Sequence, residues 1–206
     1  MRKFITLEGP EGGGKSTQAK RLVDHLQTQG YEVLFTREPG GTEIGDQIRR
    51  VIMSLENKSM SPEAEFLLFS ASRAQVVREL IKPQLERGGF VVCDRFYDSS
   101  LAYQGYGHEL DLDLLRTITG FVSGGLVPDL TFLLDLTSEL GLERRKQDGR
   151  LNRLDDYDLA FHERVREGYH RLAELDPDRW VQIDASQTED QIQEQIRDAV
   201  TEHLGA

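Results

Sequence analysis

The fold of this chain is decided by Gly9-Pro10-Glu11-Gly12-Gly13-Gly14-Lys15-Ser16-Thr17, which has the spacing G-x-x-x-x-G-K-[ST]. The stretch follows a short apolar run, residues 4–7, and leads directly into a helical pattern. Glycines let successive backbone N–H groups point inward, and the following helix adds its positive amino end. Because run, spacing and helix agree, we interpret the stretch as a phosphate-binding nest rather than a glycine-rich turn without a ligand.

The residues of this loop carry the chemistry of a nucleoside triphosphate site. Lys15 is predicted to reach the β- and γ-phosphates of ATP as a compact cation, and the Ser16 hydroxyl to join a magnesium shell. A second element supports this, because the run at residues 90–93 ends in Asp94-Arg95. A carboxylate at the tip of a buried strand can hold Mg²⁺, although an aspartate there is usually only a loop or cap residue. Ser16 and Asp94 are therefore the candidate metal ligands.

Strand-like and helix-like segments alternate along the chain. Five apolar runs are predicted to be strands: residues 4–7, 33–35, 90–93, 130–136 and 180–183. Apolar stripes at helical spacing lie between and after them: Leu22 and Leu26; Ile44, Ile48 and Ile52; Ile192, Ile196, Val200 and Leu204. This pattern predicts one α/β domain over residues 1–206, with a doubly wound, five-stranded parallel sheet of P-loop NTPase type flanked by helices. Its ligands would bind at the carboxyl ends of the strands.

Composition narrows the classes of protein to consider. The 25 Lys and Arg residues against 36 Asp and Glu give a net charge of −11, which disfavours a nucleic acid polymer as partner. No apolar run approaches the roughly 20 residues of a membrane span, and the amino-terminal run stops at Glu8, too early for a signal peptide. The single cysteine, Cys93, cannot form a disulfide within the chain. We therefore expect a cytoplasmic protein without a membrane partner.

An arginine-rich segment lies at about residues 142–155 of this acidic chain. Asp148-Gly149 marks a turn within it. Such a segment suits either a solvated basic helix face or a lid whose guanidinium groups stabilise charge during phosphoryl transfer. Beside a phosphate loop we favour the lid. The cations are Arg144, Arg145, Lys146, Arg150 and Arg153.

The predicted helix from Ser61 toward Gln84 offers a possible base-binding face. Phe69 and Arg73 are spaced i, i+4, so the ring could stack on a base while the guanidinium donates to a base carbonyl. The neighbouring run at residues 66–68 is apolar too, and from spacing alone a core position is the commoner role for Phe69. Periodicity leaves both interpretations open.

Several segments together resemble the bacterial thymidylate kinase family, nearly from end to end. They are Glu8-Gly9-Pro10-Glu11-Gly12-Gly13-Gly14-Lys15-Ser16-Thr17, Arg37-Glu38-Pro39-Gly40-Gly41-Thr42, Asp94-Arg95-Phe96, Ser99-Ser100-Leu101-Ala102-Tyr103-Gln104-Gly105 and the arginine-rich segment. The first is shared widely among nucleotide-binding proteins, whereas the second, third and fourth are much more specific. The resemblance implies transfer of the γ-phosphoryl group of ATP to dTMP with Mg²⁺, giving dTDP and ADP in deoxythymidine nucleotide biosynthesis. It also implies a homodimer formed through helices.

The resemblance assigns roles to individual residues. Its implied catalytic set is Lys15, Asp94, Arg95, Arg150 and Arg153, with the last two in the lid. ATP would contact Gly9, Pro10, Glu11, Gly12, Gly13, Gly14, Lys15, Ser16 and Thr17. The implied dTMP contacts are Phe69 under thymine, Arg73 at its O4, Tyr103 at the 2′ position of the sugar, Glu11 at the 3′-hydroxyl, Arg95 at the phosphate, Arg37 in the loop that edges the acceptor pocket, and Ser99, Ser100 and Gln104 as polar contacts. The alternative for Tyr103 is a hydrogen-bonded core tyrosine.

Two other functions remain to be separated from this one. Another nucleoside or nucleotide kinase could share the scaffold. The residues that would distinguish a thymidylate kinase from it are Phe69, Arg73 and Tyr103. A regulatory module that hydrolyses ATP would be of a different class. The guanine-reading motif N-K-x-D is absent, because the nearest string is Asn152-Arg153-Leu154-Asp155 and follows a polar stretch.

Overall fold

The apolar runs of the sequence form strands covered on both faces, as buried parallel strands require. The computed structural model describes residues 3–149 and 151–205. Within them, the sheet is wholly parallel, with the order β2-β3-β1-β4-β5. Its strands are β1 Phe4–Glu8, β2 Val33–Arg37, β3 Phe90–Asp94, β4 Leu130–Asp135 and β5 Trp180–Asp184. The predicted doubly wound, five-stranded parallel sheet is therefore confirmed.

Helices connect the strands and cover the sheet. The α-helices of the described residues are α1 Lys15–Thr28, α2 Glu43–Met53, α3 Pro62–Val76, α4 Lys82–Glu86, α5 Tyr97–Ser100, α6 Leu112–Ser123, α7 Ser138–Asp148, α8 Leu159–Leu175 and α9 Glu189–Leu204. Two π-helical segments, Val77–Ile81 and Leu101–Gly107, and one 3₁₀ turn, Arg153–Asp156, complete the set. Within these same residues, no helix combines the length and apolarity needed to cross a membrane.

The predicted apolar stripes differ in how much of each is buried. Leu22 and Leu26 of α1 and the whole stripe of α9 pack into one core cluster against the sheet. In α2, however, Ile52 is buried, Ile48 is half-buried and Ile44 is exposed. The helix was predicted correctly, but its stripe leaves part of an apolar face uncovered.

The helix predicted from Ser61 toward Gln84 is continuous but changes its winding. It runs through α3, the π-helical segment Val77–Ile81 and α4, and Pro83 stands in the first turn of α4. Proline has no N–H to donate, and its ring clashes with the carbonyl four residues earlier in a regular helix. A wider turn before Pro83 relieves that clash, so the helix continues beyond it.

The strand register places the candidate residues at one edge of the sheet. Asp94, at the end of β3, pairs with Leu7 of β1 on one side and with Arg37 of β2 on the other. The loops after β1, β2, β3 and β4 all leave from this carboxyl edge, where ligands bind in open parallel sheets.

Candidate active site

The phosphate loop lies on the end of β4 and the start of α7. Gly9 and Gly12 have φ values of 132° and 73°, which side chains rarely adopt. A Cβ on Gly9 would also meet the backbone of Leu134, and one on Gly12 the backbone of Gly141. Gly14 caps α1 at φ 78°, so that the helix begins at Lys15. Only glycine fits at positions 9 and 12, where the loop approaches the backbone of β4 and α7 closely.

Lys15 curls back over the loop. Its side chain is 6% exposed, and Nζ donates a hydrogen bond to the Pro10 carbonyl at 2.5 Å. Burial, with help from the Arg95 cation, lowers the pKa of Lys15 to about 8, although the Glu11 carboxylate opposes the shift. The loop thus holds a largely desolvated ammonium group that a bound phosphate would stabilise.

Ser16 and Asp94 offer adjacent oxygen atoms. The Ser16 hydroxyl donates to Asp94 Oδ2, and the Asp94 side chain is nearly buried. Hard oxygen donors of this kind suit Mg²⁺. Residues 3–149 and 151–205 contain no group of three or more His, Cys, Asp or Glu placed to hold a metal. These two residues therefore fit a magnesium ion that takes its other ligands from phosphates and water.

Arg95 is held in one orientation by a dense set of contacts. Its backbone is in the left-handed region, at φ 69°, and its N–H donates to the Leu7 carbonyl at 3.0 Å. Nearby carboxylates and tyrosine hydroxyls raise its pKa against the effect of burial. Its guanidinium contacts are Gly9 O at 3.0 Å, Ser99 Oγ at 3.0 Å and Tyr169 OH at 2.9 Å from Nη1, and Glu11 Oε1 at 2.8 Å and Tyr103 OH at 3.3 Å from Nη2. A strained, tightly held arginine is typical of a functional site.

Glu11 links the phosphate loop to Arg95 and Tyr103. Burial alone would raise the Glu11 pKa, but Arg95, Lys15 and the Tyr103 hydroxyl lower it to about 2. Tyr103 donates to Glu11 Oε1 at 2.9 Å, while its ring packs in the core beside Phe161. Tyr103 is thus a hydrogen-bonded core tyrosine whose hydroxyl reaches the site.

Two residues that the sequence analysis did not select support this region. Glu8 accepts hydrogen bonds from Phe96 N at 2.7 Å and Ser99 Oγ at 2.6 Å, and burial together with Asp98 raises its pKa to about 7. Tyr169, on α8, contacts Ser99 Oγ at 2.8 Å. Glu8 had a signal, since it is a charged residue ending an apolar strand. No signal in the sequence pointed to Tyr169 other than its position in a helical stretch.

The acceptor side of the site is built on one face of α3. Arg73 is 1% exposed and donates through Nε to Glu38 Oε2 at 2.7 Å and through Nη2 to Ser100 Oγ at 3.0 Å and Phe96 O at 3.3 Å. Burial raises the pKa of Glu38 to about 7 despite Arg73. Among the described residues, Arg73 Nη1 is buried without a hydrogen-bond partner. The Nη1 amino group, with its two N–H donors, is therefore left for a ligand.

Phe69 lies between the two polar ends of this face. Phe66 is the buried core residue of the run, whereas Phe69 is only half-buried and belongs to no core cluster of the described residues. Phe69 is therefore outside these core clusters, and the contact of its ring with a base stays a prediction. Gln104 lies toward the other end, where its Nε2 donates to Glu65 Oε1 at 2.6 Å and its Oε1 is buried with no partner in residues 3–149 and 151–205.

Arg37 and Arg49 flank the Asp94-Arg95 corner. Arg37 is exposed, and its Nη2 lies 3.2 Å from Asp46 Oδ1. Arg49, which the sequence analysis did not select, donates to Pro39 O at 2.9 Å. Burial lowers the pKa of Arg49, the Arg37 cation adds to this, and Asp94 opposes it. Arg37 and Arg49 thus place two arginines beside the Asp94-Arg95 corner.

The arginine-rich segment forms α7, a turn at Gly149 and the 3₁₀ turn. Arg144 donates to the Ala185 carbonyl at 2.9 Å, and Arg145 binds Asp155 through Nε at 3.1 Å and Nη2 at 3.0 Å. The predicted catalytic residue Arg150 lies outside the described residues. The basic segment is therefore tied to the molecule at several points.

The structure does not bring Arg153 to the phosphate loop. It is 3% exposed, donates through Nε to Ile52 O at 2.9 Å and through Nη1 to Tyr157 OH at 2.7 Å, and pairs through Nη2 with Glu65. These contacts do not support the predicted catalytic role of Arg153, which stays a prediction. All three side-chain nitrogens of Arg153 thus have partners. The pairing with Glu65 supplies that buried carboxylate with the cation it needs.

Comparisons with known proteins agree with this geometry. The family described as Thymidylate kinase matches residues 7–196. Thymidylate kinase of Deinococcus radiodurans is 53% identical over 97% of this chain and 96% of its own, and that of an Exiguobacterium species is 50% identical over 98% and 95%. A crystal structure of thymidylate kinase from Ehrlichia chaffeensis superposes with a TM-score of 0.79 at 30% identity, covering 97% of this chain and 98% of that one. The chain belongs to the thymidylate kinase family.

Proposed function

We propose that this protein transfers the γ-phosphoryl group of ATP to dTMP, forming dTDP and ADP. The observation that carries the choice of acceptor lies on the α3 face. There a buried N–H donor, Arg73 Nη1, and a buried C=O acceptor, Gln104 Oε1, are both unpartnered among the described residues. Along α3, half-buried Phe69 lies between Arg73 and Glu65, the residue that Gln104 contacts.

This donor and acceptor complement one edge of thymine. The base presents its O4 carbonyl, an acceptor, next to its N3–H donor. Arg73 would donate to O4 and Gln104 would accept from N3, while the ring stacks on Phe69. Cytosine presents the reverse, an amino donor and a bare nitrogen. Both buried groups would then stay unsatisfied, which disfavours cytosine strongly.

The acceptor phosphate is proposed to bind at Arg95. The guanidinium is fixed by Glu11, Ser99 and the two tyrosines, so its orientation is set before the substrate arrives. Arg37 and Arg49 edge the same corner and add positive charge. Glu11 would face the 3′-hydroxyl and Tyr103 the 2′ position of the sugar, as the family resemblance implies.

The transfer itself requires positioning rather than a general base. The 5′-phosphate of dTMP has a second pKa near 6, so its oxygen is already an anion at neutral pH. That oxygen forms a bond to the γ-phosphorus, the bond from γ-phosphorus to the β,γ-bridging oxygen breaks, and ADP leaves with the electron pair. Lys15 would hold the β- and γ-phosphates, and the backbone N–H groups of residues 11–17 the polyphosphate chain.

Ser16 and Asp94 would hold Mg²⁺, which would neutralise charge that builds up on the phosphate oxygens. Arg150 is proposed as the arginine that the lid supplies to the transferring group. Arg153 is proposed to anchor the lid, since it is buried on Glu65. The cytoplasm remains our proposed location, on the basis of composition.

A homodimer is proposed from the surface of α2, α3 and α6, which pack side by side. The outward positions of these helices carry exposed apolar side chains, and Phe121 is 84% exposed. Exposed apolar side chains on neighbouring helices are typical of a protein interface. Its members are Ile44, Val51, Leu67, Leu114 and Phe121.

The test is a panel of nucleoside monophosphates assayed singly with ATP and Mg²⁺ by measuring ADP release. The proposal predicts fastest turnover of dTMP and loss of turnover in Lys15→Ala. Faster phosphorylation of dCMP, GMP or AMP would instead assign another nucleotide kinase. Slow ATP consumption that no monophosphate stimulates would assign a regulatory module.

A further inference from the structure

One carboxylate below the acceptor site accepts three hydrogen bonds and has a histidine ring nearby. Glu65, on α3, is completely buried. Its Oε1 accepts from Gln104 Nε2 at 2.6 Å and lies 3.4 Å from His108 Nε2. Its Oε2 accepts from Tyr157 OH at 2.9 Å and pairs with Arg153 Nη2. The sequence pointed to Gln104 and Arg153 but not to Glu65, which joins them.

The charge of Glu65 determines which way the Gln104 amide points. Burial would raise the Glu65 pKa, but hydrogen bonds from His108, Arg153 and Gln104 lower it to about 2, so the group is ionised at neutral pH. An ionised carboxylate only accepts hydrogen bonds. The Gln104 amide must therefore turn its NH₂ toward Glu65, which leaves its carbonyl facing the other way.

That free carbonyl lies along the base-binding face. Glu65, Phe69 and Arg73 follow one another at steps of four residues on α3, and so share a face of the helix. Ser100 contacts Arg73 at one end of this face, and Gln104 contacts Glu65 at the other. The two unpartnered polar atoms, Arg73 Nη1 and Gln104 Oε1, thus lie at opposite ends of the face that carries Phe69.

We propose that Glu65 is a positioning residue for base selection, which acts by holding the Gln104 carbonyl as a hydrogen-bond acceptor toward the acceptor base. The inference rests on the proposed function, because it explains how that site distinguishes a base with an N3–H from one without. Glu65 itself would not touch the substrate.

The variant Glu65→Gln separates this role from the anchoring of the lid. Arg153 has only donors to offer, so the new amide must turn its oxygen toward Arg153 and its NH₂ toward Gln104. The Gln104 amide then has to rotate, which presents its NH₂ to the base. We expect the ratio of kcat/KM for dTMP to kcat/KM for dCMP to fall about tenfold or more, chiefly through a higher KM for dTMP.

An exchange of the two side chains should restore selection. In the double variant Glu65→Gln, Gln104→Glu, the amide at position 65 donates to the carboxylate at position 104, whose second oxygen again faces the base as an acceptor. Gln104→Glu alone places two carboxylates in contact and should bind dTMP worse than the double variant. A double variant that selects no better than Glu65→Gln would overturn the proposal.

Two matched control variants separate the rotation of Gln104 from a general change in charge or packing. Glu63→Gln changes an exposed carboxylate two residues away on the same helix and should leave the ratio unchanged. Tyr157→Phe removes a hydrogen bond to the other oxygen of Glu65 without touching Gln104, and should also keep the ratio. An equal drop in Tyr157→Phe would point to general loosening and would contradict the proposal, as would a folded Glu65→Gln protein with the wild-type ratio.

A measurement on the ligand-free wild type keeps the test independent of activity and of variant folding. The Gln104 side-chain NH₂ should exchange with solvent far more slowly in NMR than that of exposed Gln47. Exchange as fast as Gln47 would overturn the inference. If the wild type failed to phosphorylate dTMP, the proposed function would fail, while slow exchange would still establish the Glu65–Gln104 pair.

Discussion

Individual side chains of this site are buried with a desolvated charge or an unpartnered N–H group. Both are unfavourable in free energy, and a bound ligand would reduce that cost. Lys15 is desolvated enough to lower its pKa to about 8, and its positive charge has no role in the apolar core. Lys15→Ala should therefore lower kcat by about 10²-fold or more, because a fixed cation at the phosphates is lost. The thermal midpoint should be unchanged or higher, since a buried charge is removed. Steady-state rates and a circular dichroism melt of the same sample check this, and unfolding of the variant would identify a structural lysine.

Arg73 is the second residue whose free N–H implies a ligand. Arg73→Ala should weaken dTMP binding by roughly 1–3 kcal/mol while ATP binding changes little. Glu38 loses its cation in this variant, but burial already raises its pKa to about 7, so it can take a proton rather than unfold the protein. Calorimetric titration with each nucleotide is the measurement, and exposed Arg78→Ala is the control. Equal loss for both nucleotides would place Arg73 outside the acceptor site.

At the scale of elements, the 3₁₀ turn Arg153–Asp156 is attached to α3 by a buried ion pair. Arg153→Ala leaves Glu65 without its cation and should destabilise the fold by about 3–5 kcal/mol in urea unfolding. A catalytic arginine in the lid would behave differently, because its loss would reduce kcat with little change in stability. Both quantities measured on one preparation decide between the anchoring role seen in the structure and the catalytic role expected from the sequence.

The same carboxylate should contribute to stability in a pH-dependent way. Glu65 has a folded-state pKa of about 2 against an ordinary value of 4.5. Its contribution is complete above pH 4.5 and is lost as the pH falls through about 2, and it amounts to about 3 kcal/mol. Glu65→Gln should therefore lose less stability than the wild type between pH 5 and pH 3. Urea midpoints across that interval test this, and parallel curves would contradict it.

Elements differ in how far sequence alone predicts them. The strands and the phosphate loop were predicted correctly, because their signals are local: apolar runs and an eight-residue motif. The environment of Arg153 was not, since its partner Glu65 lies 88 positions away and no local pattern pairs them. Phe69 was ambiguous for a similar reason, because its exposure depends on where the segment after β3 packs against α3.

For the whole molecule, the uncovered apolar face is the feature that a single chain does not explain. Helix α3 lies between α2 and α6 and turns Leu67 outward while Arg73 is buried toward the site. A second copy that covered Leu67 would therefore brace the helix that holds the base. Association and acceptor binding should then be linked, with monomers binding dTMP less tightly.

Phe121→Glu tests this link. A charge on a side chain that is 84% exposed does not disturb the monomer core, but it would be desolvated in an apolar interface. We expect the wild type to sediment as a dimer and Phe121→Glu as a folded monomer whose KM for dTMP rises more than its kcat falls. Leu175→Glu, an exposed site at the end of α8, is the control and should stay dimeric. A monomeric wild type, or a dimeric Phe121→Glu with unchanged KM, would show that this face is not the interface.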